Sequence, residues 1–167
     1  MAATIKTQYG TEAQAITCTL ASLANNGQRE STVVDNTTNL FLDALVTVRI
    51  DLADGGTIAS DKKVYVYAYG TVDAATPIYP DRVTGSDAGI TLDSPTNLKL
   101  IGVIECASYV TVTKTIFTMP PASVAQAFGG ILPEKWGIVV ENKTSITVRA
   151  SEATQKKIYQ GVYGQSV

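Results

Sequence analysis

A chain of 167 residues fits one domain, and at this mass it buries roughly two-thirds of its unfolded surface, enough for a substantial core. Charged residues make up 17%, the net charge is −2 and histidine is absent, which excludes His-based triads and His-ligated metal sites. The same balance gives no general electrostatic grip on nucleic acid or an anionic membrane, and the 22 Thr, 17 Val and 8 Tyr favour strands.

Residues 1–13 are small and polar, with Gly10 as punctuation, and read as an extended N-terminal arm; residues 14–167 read as a single domain. Met1–Gln8 has no apolar run of signal-peptide length and no stretch approaches a membrane span, so use without Sec export is expected. Gln14 to Leu23 alternates with period two, and Asn25-Asn26-Gly27 closes it as a turn. The longest strand candidate is Leu40 to Leu52, where Leu40, Leu42, Ala44, Val46, Val48 and Ile50 form an apolar face expected to look into the core. Asp54-Gly55-Gly56 is a sharp turn signal. Lys63 to Val72 alternates between Val64, Val66, Ala68, Gly70 and Tyr65, Tyr67, Tyr69. Residues 73–97 carry three prolines and two glycines and read as a long loop, broken by a short strand at Ile90 to Leu92. Leu98 to Ala107 and Tyr109 to Met119 are strands, with Pro120-Pro121 ending the second. Ala122 to Phe128 holds one helical turn, stopped by Gly129-Gly130. Strands follow at Lys135 to Glu141, Ser145 to Ala150 and Gln155 to Val162. The expected class is all-β: an antiparallel two-sheet sandwich, jelly-roll-like, with about eight strands and little helix.

The search for chemistry is mostly negative. There is no phosphate loop, no G-x-S-x-G elbow and no C-x-x-C pair. Cys18 and Cys106 lie in apolar runs and have no histidine to act as base; they read as buried thiols, and a bridge between them would need adjacent strands. The sequons at Asn36 and Asn142 carry little weight without a secretory signal. Asp81, Asp87 and Asp93 lack the dense oxygen spacing of a calcium loop. Lys62-Lys63 and Lys156-Lys157 read as solvated strand ends. No catalytic residue, metal or cofactor is expected. The tyrosine row reads as a packed aromatic face, a contact surface or a sugar platform, and Trp136 as a core anchor or an interface hot spot. The interface candidates are Thr4, Ile5, Tyr9, Tyr65, Tyr67, Tyr69 and Trp136.

Three segments carry a resemblance: Leu20-ASLANNGQRES-Thr32 with Val34-DNTT-Asn39, Val66-YAYGT-Val72, and Leu132-PEKWGIVVEN-Lys143, with the ending Tyr159-QGVY-Gly164. Together they resemble a family of short structural proteins from tailed bacteriophages. The resemblance implies a non-enzymatic virion protein, made in the bacterial cytoplasm. A capsid decoration or cement protein on the outer head surface is the preferred assignment, with the major capsid protein or other virion proteins as partners. It also implies a symmetric homo-oligomer, such as a trimer, with the arm of residues 1–13 lying on a neighbour. The alternative is a tail, fibre or baseplate piece with a carbohydrate-binding role.

Overall fold

The structure is a computed structural model and describes residues 4–54, 56, 62–106 and 115–166. Among them are twelve strands: β1 (Ile5–Tyr9), β2 (Gln14–Ala15), β3 (Gln28–Glu30), β4 (Val34–Asp35), β5 (Asp43–Asp51), β6 (Lys63–Thr71), β7 (Ala88–Ile90), β8 (Lys99–Glu105), β9 (Ile116–Thr118), β10 (Ala122–Ser123), β11 (Lys135–Lys143) and β12 (Lys156–Ser166). One sheet, sheet A, runs β1-β12-β5-β10, with β2 also on β12 and β9 also on β5. The other, sheet B, runs β7-β3-β11-β6-β8, with β4 also on β11. Neighbouring strands in both are antiparallel, so the chain is an all-β two-sheet sandwich. The count exceeds eight because six of the strands are only two or three residues long. The predicted helical turn is present as α1 (Val124–Ala127), and Gly129 and Gly130 end it at positive φ of 82° and 97°.

The period-two pattern positions the core. Ala44, Val46, Val48 and Ile50 of β5 join Val64, Val66 and Ala68 of β6 and Trp136, Ile138 and Val140 of β11 in one buried cluster. Trp136, from sheet B, meets Tyr159, from sheet A, edge to face with ring centroids 5.1 Å apart.

Four segments depart from expectation. Leu40 and Leu42 are 71% and 60% exposed, because β5 starts at Asp43 and the preceding turn is pinned by Asn36. The Asn36 amide donates to the Phe41 carbonyl and accepts from the Phe41 N–H, both at 2.9 Å, so Phe41 packs on the core in their place. In residues 14–23 the alternation holds in burial, with Ile16, Cys18 and Leu20 buried, but only Gln14–Ala15 is a strand. Beyond it the segment leaves sheet A, and its backbone is met by side chains. Thr19 N–H donates to Asp87 at 2.9 Å, and Leu20 and Ala21 N–H donate to Glu152 at 2.9 and 2.7 Å. Residues 145–150 form no strand; a single bridge joins Val148 to Leu52. The predicted strand starting at Tyr109 falls partly on residues 107–114, and Gly55 of the predicted turn is also outside the described residues.

Residues 72–98 fold over the outer face of sheet B. Val83, Leu92 and Leu98 form a second cluster with Tyr69 and Val139, and Tyr67, Tyr79 and Ile90 pack at its margin.

Candidate interaction surfaces

The three tyrosines of β6 stand on the face away from the main core, and they have separate fates. Tyr69 is fully buried beneath the overlying loop. Its ring lies over Gly137, its partner in the ladder; a Cβ there would stand 2.7 Å from Ser31 Oγ and closer still to the Tyr69 hydroxyl. That hydroxyl donates to the Ser31 carbonyl at 2.7 Å, and the ring meets Tyr79 edge to face at 5.2 Å. Burial pushes the Tyr69 phenol well above its ordinary range. Tyr67 is half-buried and donates to Glu141 Oε2 at 3.2 Å; burial, then the Glu141 carboxylate, push it up to about 12. Tyr65 stacks on Tyr67 with centroids 6.3 Å apart. Trp136 is 1% exposed and Tyr69 fully buried, so neither offers surface to a partner: the fold has spent both inside the chain. The sequence carries no periodic signal for this cover, because the apolar residues of the loop are spaced irregularly among prolines and glycines.

Carboxylates clasp that loop. Glu30, 2% exposed, accepts from Thr84 N–H at 2.9 Å, Thr84 Oγ1 at 2.8 Å and Gly85 N–H at 3.0 Å. Gln28 accepts from Leu92 N–H and donates to Glu141 Oε1, both at 2.8 Å. Asp87 pairs with Arg29 Nε at 2.7 Å and accepts from Thr19. Burial alone would raise the Asp87 carboxyl, but the hydrogen bonds from Arg29 and Thr19 outweigh it and hold the group at about 2. Asp81 accepts from Asp93 and Ser94 N–H, and Asp93 pairs with Arg82 at 2.8 Å. The three aspartates thus do three separate structural jobs, and among the described residues no group of His, Cys, Asp or Glu is arranged to hold a metal ion.

Sheet A is dressed differently. By alternation with the buried Val46 and Tyr159, the residues Leu45, Thr47, Ile158, Gln160 and Val162 face outward. They are half-buried, and none of the three aliphatic ones belongs to either hydrophobic cluster. At the edge of this sheet β1 pairs with the chain's own β12, from Ile5 opposite Ser166 to Tyr9 opposite Val162. The arm therefore adds a strand to its own sheet through residues 5–9. Thr4 is exposed just ahead of it, and Ile5 and Tyr9 are 76% and 62% exposed. Leu42 lies beside Ile5 around Gly164. At one end of the sandwich, a cleft of about 410 Å³ is lined by Val72, Phe128, Ile131, Leu132, Pro133 and Glu134, with Val72 and Ile131 84% and 77% exposed.

The remaining reactive groups are enclosed. Cys18 and Cys106 are buried and free, and desolvation pushes both thiols up to about 12, far from a reactive thiolate. Asn142 is fully buried and donates to Leu23, Ala24 and Ile146 carbonyls, while Asn36 holds Phe41; both sequons are structural. Lys157, expected at a solvated strand end, folds against Glu152 with its side chain 10% exposed. No family model, no curated protein and no solved structure matches the chain.

Proposed function

We propose that this chain is a non-enzymatic structural subunit of a tailed-bacteriophage virion, a decoration protein that binds the outer capsid surface and bridges neighbouring capsomers. One observation carries the reading: the two outer faces of the sandwich are unequal. Residues 72–98 and their carboxylate clasps cover the outer face of sheet B over Tyr69 and Val139, while Leu100 and Val103 at its β8 edge stay 53% and 36% exposed. On the outer face of sheet A, Leu45, Thr47, Ile158, Gln160 and Val162 are half-buried, and its aliphatic side chains Leu45, Ile158 and Val162 belong to neither hydrophobic cluster. A subunit that lies flat on a large particle needs one finished face for solvent and one open face for its partner. The segments that resemble the phage family include β11, most of β6 and the middle of β12, the strands that carry the scaffold.

Binding would stabilise the head by mass action, as many copies bury surface on the assembled state alone. The test is co-sedimentation of the purified chain with heads of the phage that encodes it. The expected result is pelleting of the wild type and at least a tenfold loss for Leu45→Glu/Ile158→Glu, with the circular dichroism spectrum unchanged. A wild type that stays in the supernatant, or a double variant that pellets equally, contradicts the proposal.

A second reading, a tail component that holds a host glycan, has its own observation. An open cleft of about 630 Å³ between residues 10–15 and Tyr163 is lined by Phe41 and Tyr163 together with Glu12, Gln14 and Asn39, aromatic residues beside polar ones. Binding on a glycan array that Tyr163→Ala abolishes would favour it; an empty array removes it.

A further inference from the structure

We infer that β1 is a self-complementary edge through which two copies of this chain pair, β1 against β1 of the second copy, to make one sheet across a two-fold axis. The inference concerns the isolated chain and does not rest on the virion reading.

The backbone supplies the first argument. Gly10 N–H donates to the Gly161 carbonyl at 2.8 Å, and the β1–β12 register runs without a break from Ile5 to Tyr9. Antiparallel pairing alternates the direction of the backbone groups. The groups of Lys6 and Gln8 therefore point at β12, and those of Ile5, Thr7 and Tyr9 point to the free edge. Each copy offers three outward N–H groups and three outward carbonyls. An antiparallel pair centred on Thr7 sets Thr7 opposite Thr7 of the second copy and Ile5 opposite Tyr9. All outward donors then meet outward acceptors, six hydrogen bonds in total. A two-fold axis between residues would pair outward groups with inward ones, and one centred on Lys6 would oppose two lysines.

Side chains agree with that register. Ile5, Thr7 and Tyr9 share one face, and Ile5 and Tyr9 are among the most exposed large apolar side chains of the chain. The pairing sets each Ile5 beside a Tyr9, a β-branched and aromatic cross-strand pair, twice over. Lys6 falls opposite Gln8, so no like charges meet.

The surroundings of β1 give the third argument. Pairing between β12 and β5 ends at Val162, while β12 continues along β1 to Ser166. Residues 163–166 and 5–8 thus form a two-stranded ribbon past the body of sheet A, a marginal structure alone in water. A second ribbon makes it four-stranded. Other sheet edges are blunted: β7 and β10 are three and two residues long, and β8 has a register shift and charged ends at Lys99 and Glu105. β1 has five residues in unbroken register and carries a single charge, Lys6.

The test is sedimentation equilibrium of the full chain without any partner. The wild type is expected to rise with concentration from 17.6 kDa towards twice that mass. Thr7→Pro removes an outward N–H and spares the bonds to β12, so it should stay monomeric with an unchanged far-ultraviolet spectrum. Thr7→Lys keeps the N–H but opposes two charges at the axis, and should weaken association at least tenfold at low salt. A wild type that remains monomeric up to about 1 mM overturns the inference, as do variants that associate as the wild type does. A monomeric chain whose head binding is lost in Thr7→Pro would assign the edge to another protein's strand, and likewise overturns it. A dimer that ignores phage heads keeps this inference and removes the virion reading.

Discussion

Tyr69 and Gly137 show how one pair of residues fixes a layer. The glycine leaves room for the ring, and the ring then reaches the Ser31 carbonyl and supports Val83 and Leu92 from below. Gly137→Ala forces Tyr69 aside and should cost about 1–3 kcal/mol, read as a lower midpoint in urea. Asp87 ties the fold to acid. Its carboxyl is held at about 2 in the fold, below the ordinary value near 4, so its contribution is complete above pH 4 and is lost as pH falls through 2. Asp87→Asn should cost about 2 kcal/mol at pH 7 and flatten the stability profile between pH 4 and pH 2, measured by denaturation at each pH. The sequence offered Asp87 as one of three loop aspartates. It could not offer Arg29 and Thr19, which are 58 and 68 positions away.

At the level of the element, legibility followed length and period. β5, β6, β11 and β12 have nine or more residues, and each was placed to within a few residues, β5 and β6 by their alternation. The segment at 145–150 had the right alternation, but its pairing with the end of β5 stops after one bridge, Leu52 to Val148, with Val148 N–H bonded to Leu23 on the other side; burial of Ile146 and Val148 produced the pattern. Residues 19–21 show the same limit, because Asp87 and Glu152 replace a strand partner. The cover over sheet B left one readable trace. Trp136-Gly-Ile-Val-Val140 puts apolar side chains on both faces of β11, the signature of a strand buried on both sides. Leu92→Ala should therefore loosen the cover by about 2 kcal/mol. Hydrogen exchange should accelerate at the Thr84, Gly85 and Leu92 amides, which donate to Glu30 and Gln28, with β5 and β12 unchanged. Equal acceleration in all strands would mean that the cover and the sandwich unfold as one unit.

Across the whole molecule, the low charge fraction acquires a location. Sheet B's outer face is covered over Tyr69 and Val139 by a clasped loop and exposed only towards β8, at Leu100 and Val103, whereas sheet A presents half-buried Leu45, Ile158 and Val162 between Thr47 and Gln160, with the β1 edge beside them. Of the tyrosines that suggested a contact surface in the sequence, Tyr69 is buried under the cover and Tyr65 and Tyr67 stay half-buried, and the face of sheet A is built from residues that no motif marked. The central claim is that this open face lies on a capsid. Electron cryo-microscopy of heads from the phage proposed to encode the chain, with and without its gene, tests that claim most directly. The account predicts outer-surface density for a two-sheet sandwich that disappears with the gene, with Leu45 and Ile158 of sheet A turned towards the capsid. Heads with identical outer surfaces in the two preparations, or density that meets the capsid through residues 72–98, would contradict it.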